Sequence, residues 1–242
     1  LNPEFFLRGD QYLMKFEDFK ANFPYRGKSV YSRLFTLHCK NIKTKKEKFA
    51  VNNLEKIFKA SFKISSKIGF HEMSLRELCR ETELSMGGIY SCIKSKEMIA
   101  IMIKDLVKMV SSNIIDNALQ HKDKEHALEE IVTHHIFAAE LLHPWFYFLY
   151  FETRSLPSVH QKDSKTIELK ITSTLESLLS EIDGNQGNGK KRYHFIATMA
   201  LSMVQERYLK YWKYKDSSMT IDDYADETLK LIYASLPKGD SN

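Results

Sequence analysis

The chain has 242 residues, 43% of them hydrophobic, with a net charge of +5 and only 5 prolines and 9 glycines. It is long enough for one or two domains with a sizeable core, and so poor in turn residues that a helical protein is favoured over a many-turned β sandwich. No apolar run approaches the roughly 20 residues needed to cross a bilayer, and Trp145 to Phe151, the richest stretch, is far too short. The start of the chain lacks the charged-then-apolar pattern of a secretion signal. Cys39, Cys79 and Cys92 are odd in number and lack metal-ligand spacing, which suits a reducing compartment. A cytoplasmic protein without a membrane partner is therefore expected.

Charge is unevenly spread. Residues 1–110 hold 21 Lys/Arg against 12 Asp/Glu, a net of +9, and the remainder is acidic. A basic first half suits contact with a polyanion, although many basic faces are merely solvated.

Residues 1–50 read as an irregular, aromatic-rich arm carrying Phe16, Phe19, Phe23, Tyr25, Tyr31 and Phe35. The arm is compatible with an ordered segment packed on the body, or with an appended remnant before Met14, the first methionine. Lys43, Lys45, Lys46 and Lys48 then lead into the first strong helix. From Leu54 the apolar residues Ile57, Phe58, Phe62 and Ile68 recur at helical steps, and Gly69 is a natural stop. Ser74 and Glu77 form the sequence signature of a capping box, opening a short helix with Leu75, Leu78 and Cys79 inward. After Glu83-Leu84, Ser85 is positioned to cap a third short helix. Ser95 is positioned to cap a fourth, whose stripe runs from Ile99 to Ile114. Further helices are expected at about 125–142, 144–155, 163–182, 191–213 and 220–236, broken at His143-Pro144, Leu156-Pro157 and the Gly184 to Gly189 loop. The organisation expected is all-α: an arm at 1–50, a three-helix unit at 51–100 and a helical domain at 101–242.

Two short helices joined by a tight turn and braced by a longer one make a helix-turn-helix unit, whose second short helix enters the DNA major groove. The residues are Gly69, then Ser74-Leu75-Arg76-Glu77-Leu78, then Ser85-Met86-Gly87-Gly88-Ile89-Tyr90-Ser91-Cys92-Ile93, closing on Lys96-Glu97. Over residues 54–99 the segment resembles the DNA-binding domain of the TetR family of transcriptional regulators. That family's pattern runs from a capped second helix to Ser-x-Gly-x-hydrophobic-Tyr-x-His-Phe-x-x-Lys-Glu. The resemblance implies that Tyr90 and Lys96 contact phosphate and that Ser74 and Arg76 lie near the DNA backbone. It also implies that Met86, Gly87, Gly88 and Ser91 face the groove, with Ser85 among the DNA-binding residues. Three departures stand out. Glu83 replaces the usual turn glycine, so a left-handed conformation there would be strained. Cys92 replaces a histidine, removing a common phosphate contact and reading as a small near-surface or half-buried residue in preference to a redox switch. Ile93 replaces a phenylalanine. With few long side chains on the reading surface, sequence readout would lean on Ser91, Met86, the basic arm and DNA shape.

TetR relatives are homodimers that cage a small effector, so the resemblance implies a double-stranded DNA operator, a second copy and a small molecule as partners. The helix at 163–182, with Ile167, Ile171, Leu175, Leu178 and Leu179, and the helix at 220–236 are the candidate dimer surfaces. The segment Trp145 to Arg154 is apolar almost all round, which fits either central core or a cavity wall. Candidate effector contacts are Met102, Trp145, Phe148, Phe151, Met199 and Met203, with Glu152 or Arg154 as the polar handle. With Tyr211 and Trp212, the stretch has a looser resemblance to family members that sense acyl-CoA. The implied function is a repressor released by a small apolar or acyl-CoA-like effector. The rival is a protein of this fold with a structural or protein-partner role. A filled core around Trp145 to Phe151 would favour the rival and an open apolar cavity would oppose it. No nucleophile elbow, phosphate loop or paired-carboxylate motif is present, so no enzyme activity or cofactor is expected. His121, His126, His134, His135 and His143 invite a metal reading, but only Glu130 with His134 is read as a helical pair and no third ligand is apparent, so no metal is expected.

Overall fold

The computed structural model describes residues 14–152, 158–184 and 189–236. Among the described residues there are twelve helices and no strand. They are α1 (Phe16–Asn22), α2 (Lys28–His38), α3 (Glu47–Ile68), α4 (Leu75–Thr82), α5 (Met86–Cys92), α6 (Lys96–Ala118), α7 (Lys124–Leu141), α8 (His143–Glu152), α9 (Ser158–Asp183), α10 (Lys190–Leu209), α11 (Tyr211–Tyr214) and α12 (Ile221–Ala234).

Local chemistry sets the end of α3 and the starts of α4 and α5. Leu54, Ile57 and Phe58 put one buried stripe on α3, and Gly69, at φ 81°, ends it with its N–H on the Ser65 carbonyl. Before α4, Ser74 Oγ accepts the Glu77 N–H at 3.2 Å while Glu77 Oε2 accepts the Ser74 N–H at 2.8 Å. These bonds satisfy two orphan donors. They also hold the Glu77 carboxyl below its ordinary range. Ser85 Oγ accepts the Gly88 N–H at 3.1 Å and so caps α5. Ser95 makes no such cap on α6; its hydroxyl instead helps hold the Glu97 carboxyl low.

Helices α3, α4 and α5 pack together as one three-helix unit, and α6 leads from it into a bundle of α6, α7, α8, α9 and α10. The apolar face of α12 closes this bundle against α7 and α10, burying Tyr224, Leu229 and Ile232. Lys104, 3% exposed, ties α6 to α9 through Asp163 at 3.0 Å.

Besides the missing Ser95 cap, four expectations change. Residues 16–38 are not irregular but form α1 and α2. Neither helix has a side-chain cap; both are held by tertiary contacts, with Phe16 edge-on to Phe137 of α7 at 5.3 Å and Leu34 fully buried. The first strong helix begins at Glu47, seven residues before the apolar stripe that announces it. The helix expected at 191–213 breaks at Lys210 into α10 and α11. Lastly, Ile171, Leu175, Leu178 and Leu179 of α9 are buried inside the chain. The apolar side chains exposed on the α9–α10 hairpin are Leu169, Phe195 and Met199, at 65%, 62% and 39%.

Candidate nucleic-acid interface and effector cavity

The turn from α4 to α5 is three residues long. Glu83 takes φ 58°, ψ 20°, the left-handed conformation, and among the described residues no other non-glycine has a positive φ. The turn is fixed from several sides. Thr82 Oγ1 donates to the Leu78 carbonyl at 2.6 Å and accepts from the Leu84 N–H at 3.3 Å. From α3, Lys56 reaches the Thr82 carbonyl and Lys63 pairs with Glu81.

This brace leaves one face of α5 in solvent. Met86 and Tyr90 are 37% and 40% exposed, and Ser85 and Gly87 lie beside them in solvent. A Cβ on Gly87 would meet only Ser85 Oγ at 3.8 Å, and one on Gly88 would touch Leu84 and Ser85 at 3.5 Å. Both are ordinary contacts, so the interior does not require glycine at either position. Ser91 is half-buried and donates its hydroxyl to the Gly88 carbonyl at 2.7 Å, leaving its oxygen as an acceptor. Ser74 and Arg76 are exposed at the start of α4. Lys96 is half-buried: its ammonium donates to the His71 carbonyl at 2.6 Å and lies over the Phe70 ring. It therefore locks the α3–α4 loop to α6 and keeps two further donors. Cys92 is 1% exposed, not half-buried, and burial pushes its thiol pKa up. Ile93 is also core.

The arm contributes a feature that the spacing did not announce. The backbone N–H groups of Lys43 and Thr44 donate to the Ser91 carbonyl, at 3.0 and 3.2 Å, so the chain before α3 straps the last turn of α5. Lys94 adds a bond to Asn41 at 2.9 Å. Lys43, Lys46 and Lys48 stand exposed along the strap, while Lys45 turns back to the Cys39 and Ile42 carbonyls in the segment after α2.

Helix α8 has two occupied faces. On one, Trp145 stacks on Phe58 of α3 with ring centroids 4.9 Å apart, and Phe148 meets Phe70 edge-on at 5.0 Å. Glu152 accepts the Phe70 N–H at 3.3 Å. Trp145, Phe148 and Glu152 are thus packing against the three-helix unit and do not line a cavity. Phe146, Leu149 and Tyr150, on another side, wall a cavity of about 210 Å³ between α6, α7, α9 and α10. Its further lining includes Val107, Ser111, His135, Ile167, Glu168 and Tyr208. Of the other expected contacts, Met102 is fully buried, Phe151 and Met199 are exposed on the surface, and Met203 packs partly buried with its carbonyl on the Tyr224 hydroxyl. None of these lines the cavity. Arg154 lies outside the described residues.

The cavity has its own polar points. His135 is 2% exposed and its Nδ1 bonds the Ile131 carbonyl at 2.7 Å. Burial lowers its pKa to about 4, so the ring is neutral, Nδ1 carries the proton, and Nε2 is a bare acceptor. Nε2 and the Ser111 hydroxyl are both buried without a partner among the described residues. The histidines, whose spacing offers no third ligand, also come together in space: His126 stands four residues before Glu130, and His121 Nε2 lies 2.6 Å from the same carboxylate.

No helix among the described residues is long and apolar enough to cross a membrane. No protein-family model and no curated protein matches the chain. Solved structures do match it. A TetR-family transcriptional regulator from Bordetella parapertussis superposes with a TM-score of 0.66 at 16% identity, covering 77% of this chain and 98% of that one. AibR in complex with isovaleryl coenzyme A and operator DNA gives 0.61 at 16% identity, covering 74% and 97%. FadR from Bacillus subtilis in complex with stearoyl-CoA gives 0.56 at 16% identity, covering 76% and 99%. The chain has the all-helical fold of TetR-family transcriptional regulators, with a helix-turn-helix unit at α3–α5 ahead of a larger helical bundle.

Proposed function

We propose that this protein is a DNA-binding transcriptional regulator of the TetR kind, and that it acts as a homodimeric repressor whose grip on its operator is set by a small molecule. The observation that carries the DNA-binding reading is the solvent face of α5. Two glycines there are not needed by the protein's own packing, and Met86 and Tyr90 flank them. A bare backbone of this kind suits close approach to another molecule's surface. In this reading Met86, Gly87, Gly88 and Ser91 face base edges, and Tyr90, Lys96, Ser74, Ser85 and Arg76 touch the backbone. Exposed Lys43, Lys46 and Lys48 on the strap add phosphate contacts. The partner copy docks on the α9–α10 face carrying Leu169, Phe195 and Met199, a larger apolar surface than α12, where Leu231 is the one large hydrophobic exposed among the described residues.

The effector reading rests on the cavity. Its walls are mostly apolar, yet Ser111 Oγ and His135 Nε2 are buried there without partners. A buried polar atom left unpaired costs about 1–3 kcal/mol, which a bound polar group would recover. The ligand is therefore a small apolar molecule with a polar group: an acceptor such as a carbonyl would take the Ser111 hydroxyl hydrogen, and a donor would meet His135 Nε2. At about 210 Å³ the space is below the roughly 300–1,000 Å³ of a typical small-molecule pocket, so it suits a short chain better than a long one. AibR and FadR were solved with acyl-CoA thioesters. By analogy, a short acyl group is the first candidate, with the coenzyme outside this cavity. Helix α8 supplies the coupling, because one of its faces walls the cavity and another grips Phe58, Phe62 and Phe70 of the three-helix unit. A ligand that moves α8 shifts DNA affinity only by its differential affinity for the two arrangements.

The test is a pull-down of sheared genomic DNA, followed by titration of the enriched duplex with isovaleryl-CoA and stearoyl-CoA. One enriched site, released by the short thioester at lower concentration than the long one, is expected. Failure to enrich any duplex refutes the DNA-binding reading. Enrichment with unchanged affinity at saturating ligand, whichever thioester is used, refutes the proposed effector class.

A further inference from the structure

We propose that His121, His126 and Glu130 bind one divalent transition-metal ion of the Zn²⁺ class, at the turn between α6 and α7. His121 sits in that turn, fixed by its N–H on the Ala118 carbonyl at 3.1 Å. His126 and Glu130 lie one helical turn apart on α7, so their side chains share a face. His134, one turn further on, approaches the other Glu130 oxygen at 3.4 Å and orients the carboxylate. One donor atom each from His121, His126 and Glu130 fall within 4.8 Å of one another. The His121 and His126 rings meet edge-on, with centroids 4.3 Å apart.

Two imidazoles and a carboxylate, leaving a fourth position for water, are a recognised donor set for Zn²⁺. Metal–nitrogen bonds of about 2.0–2.1 Å place neighbouring donors about 3.3 Å apart in a tetrahedron. The 2.6 Å contact between His121 and Glu130 must open slightly and His126 must close in. Rotation of partly exposed rings supplies both movements. Nitrogen donors argue against Mg²⁺ and Ca²⁺, which prefer all-oxygen sites, and the absence of thiolate among these three residues argues against Cu⁺. The ion would clamp the turn to α7. Through His134, whose ring is 4.8 Å from that of Phe19, it would also brace α1. The competing account is a metal-free cluster in which the His121 ring N–H donates to the Glu130 carboxylate.

The experiment uses the full chain, free of affinity tags and stripped with chelator. Zn²⁺ is titrated by calorimetry, and Co²⁺ is followed by its visible absorption. One equivalent of Zn²⁺ and an intense tetrahedral Co²⁺ band are expected. His121→Ala and His126→Ala should each weaken Zn²⁺ binding at least tenfold with helicity unchanged. His194→Ala, which removes a separate His–Glu pair between α10 and α9, should leave it intact. Absence of binding, a Co²⁺ spectrum like that of the hydrated ion, or undiminished affinity in both variants would overturn the proposal. If an alanine variant fails to fold, the wild-type Co²⁺ spectrum together with His126→Asn decides the matter.

Discussion

Replacing Gly87 with alanine separates what the protein needs from what its partner needs. Position 87 is inside α5, and an added methyl meets only Ser85 Oγ at 3.8 Å. The variant therefore gains the usual helix preference of alanine over glycine, about 0.5–1 kcal/mol. In a chain of this size that raises the melting temperature by about 1–4 °C. The same methyl projects from the proposed reading surface. If DNA backbone or bases approach there, Gly87→Ala should weaken operator binding about tenfold, or about 1.4 kcal/mol. Circular dichroism melting and fluorescence anisotropy on the enriched duplex read the two effects side by side. A more stable variant with unchanged DNA affinity would refute the placement of α5 against DNA. A less stable one would refute the account of its local packing.

Glu83→Gly should also stabilise the fold. It removes a left-handed strain of about 1–2 kcal/mol and adds a glycine entropy cost of about 0.5–1 kcal/mol, for a net gain of about 0.5–1 kcal/mol in denaturant melts; a fall in stability would contradict the left-handed geometry of the turn. Trp145→Ala deletes the ring stacked on Phe58 and should cost about 3–5 kcal/mol, with a change under 1 kcal/mol ruling out α8 as a packed link to α3. Acid should destabilise the protein through His135, whose pKa falls from 6.5 to about 4 on folding. Below pH 6.5 the unfolded chain takes up a proton that the folded chain refuses until about pH 4. Stability from this group is thus full above pH 6.5 and is lost as pH falls through that window. The loss, at about 1.4 kcal/mol for each of 2.5 units, is about 3–4 kcal/mol. Burial shifts His38 and His143 in the same direction, so comparison with His135→Leu isolates the share of His135, and parallel pH curves for the two proteins would contradict its burial.

How legible each part was follows from the range of the interactions that make it. Helices α4 and α5 are set by caps within three residues, Ser74 with Glu77 and Ser85 with Gly88, and so read directly from spacing. Strain at Glu83 followed from a missing glycine. Helix α8 defeats that approach because it is apolar almost all round, so periodicity marks it as buried without saying which face meets the cavity. Trp145 and Phe148 stood out by size, yet they pack on Phe58 and Phe70, distant in sequence, and the cavity took Phe146, Leu149 and Tyr150. The same holds for the arm, where Phe16 and Phe19 find Phe137, more than a hundred residues away. Ser111 and His135 carried no signal beyond being polar residues amid apolar stripes. The His126–Glu130 spacing was readable, but the approach of His121 from the preceding turn was not.

The most direct measurement is the salt dependence of operator affinity for the wild type and for Tyr90→Phe combined with Lys96→Ala. Removing one phosphate-neutralising cation should flatten the slope of log affinity against log salt by about 0.9. The double variant, folded by circular dichroism, should bind more weakly and with a slope shallower by about that amount. Equal affinity and equal slope in the two proteins would contradict the docking of this helix-turn-helix unit on DNA.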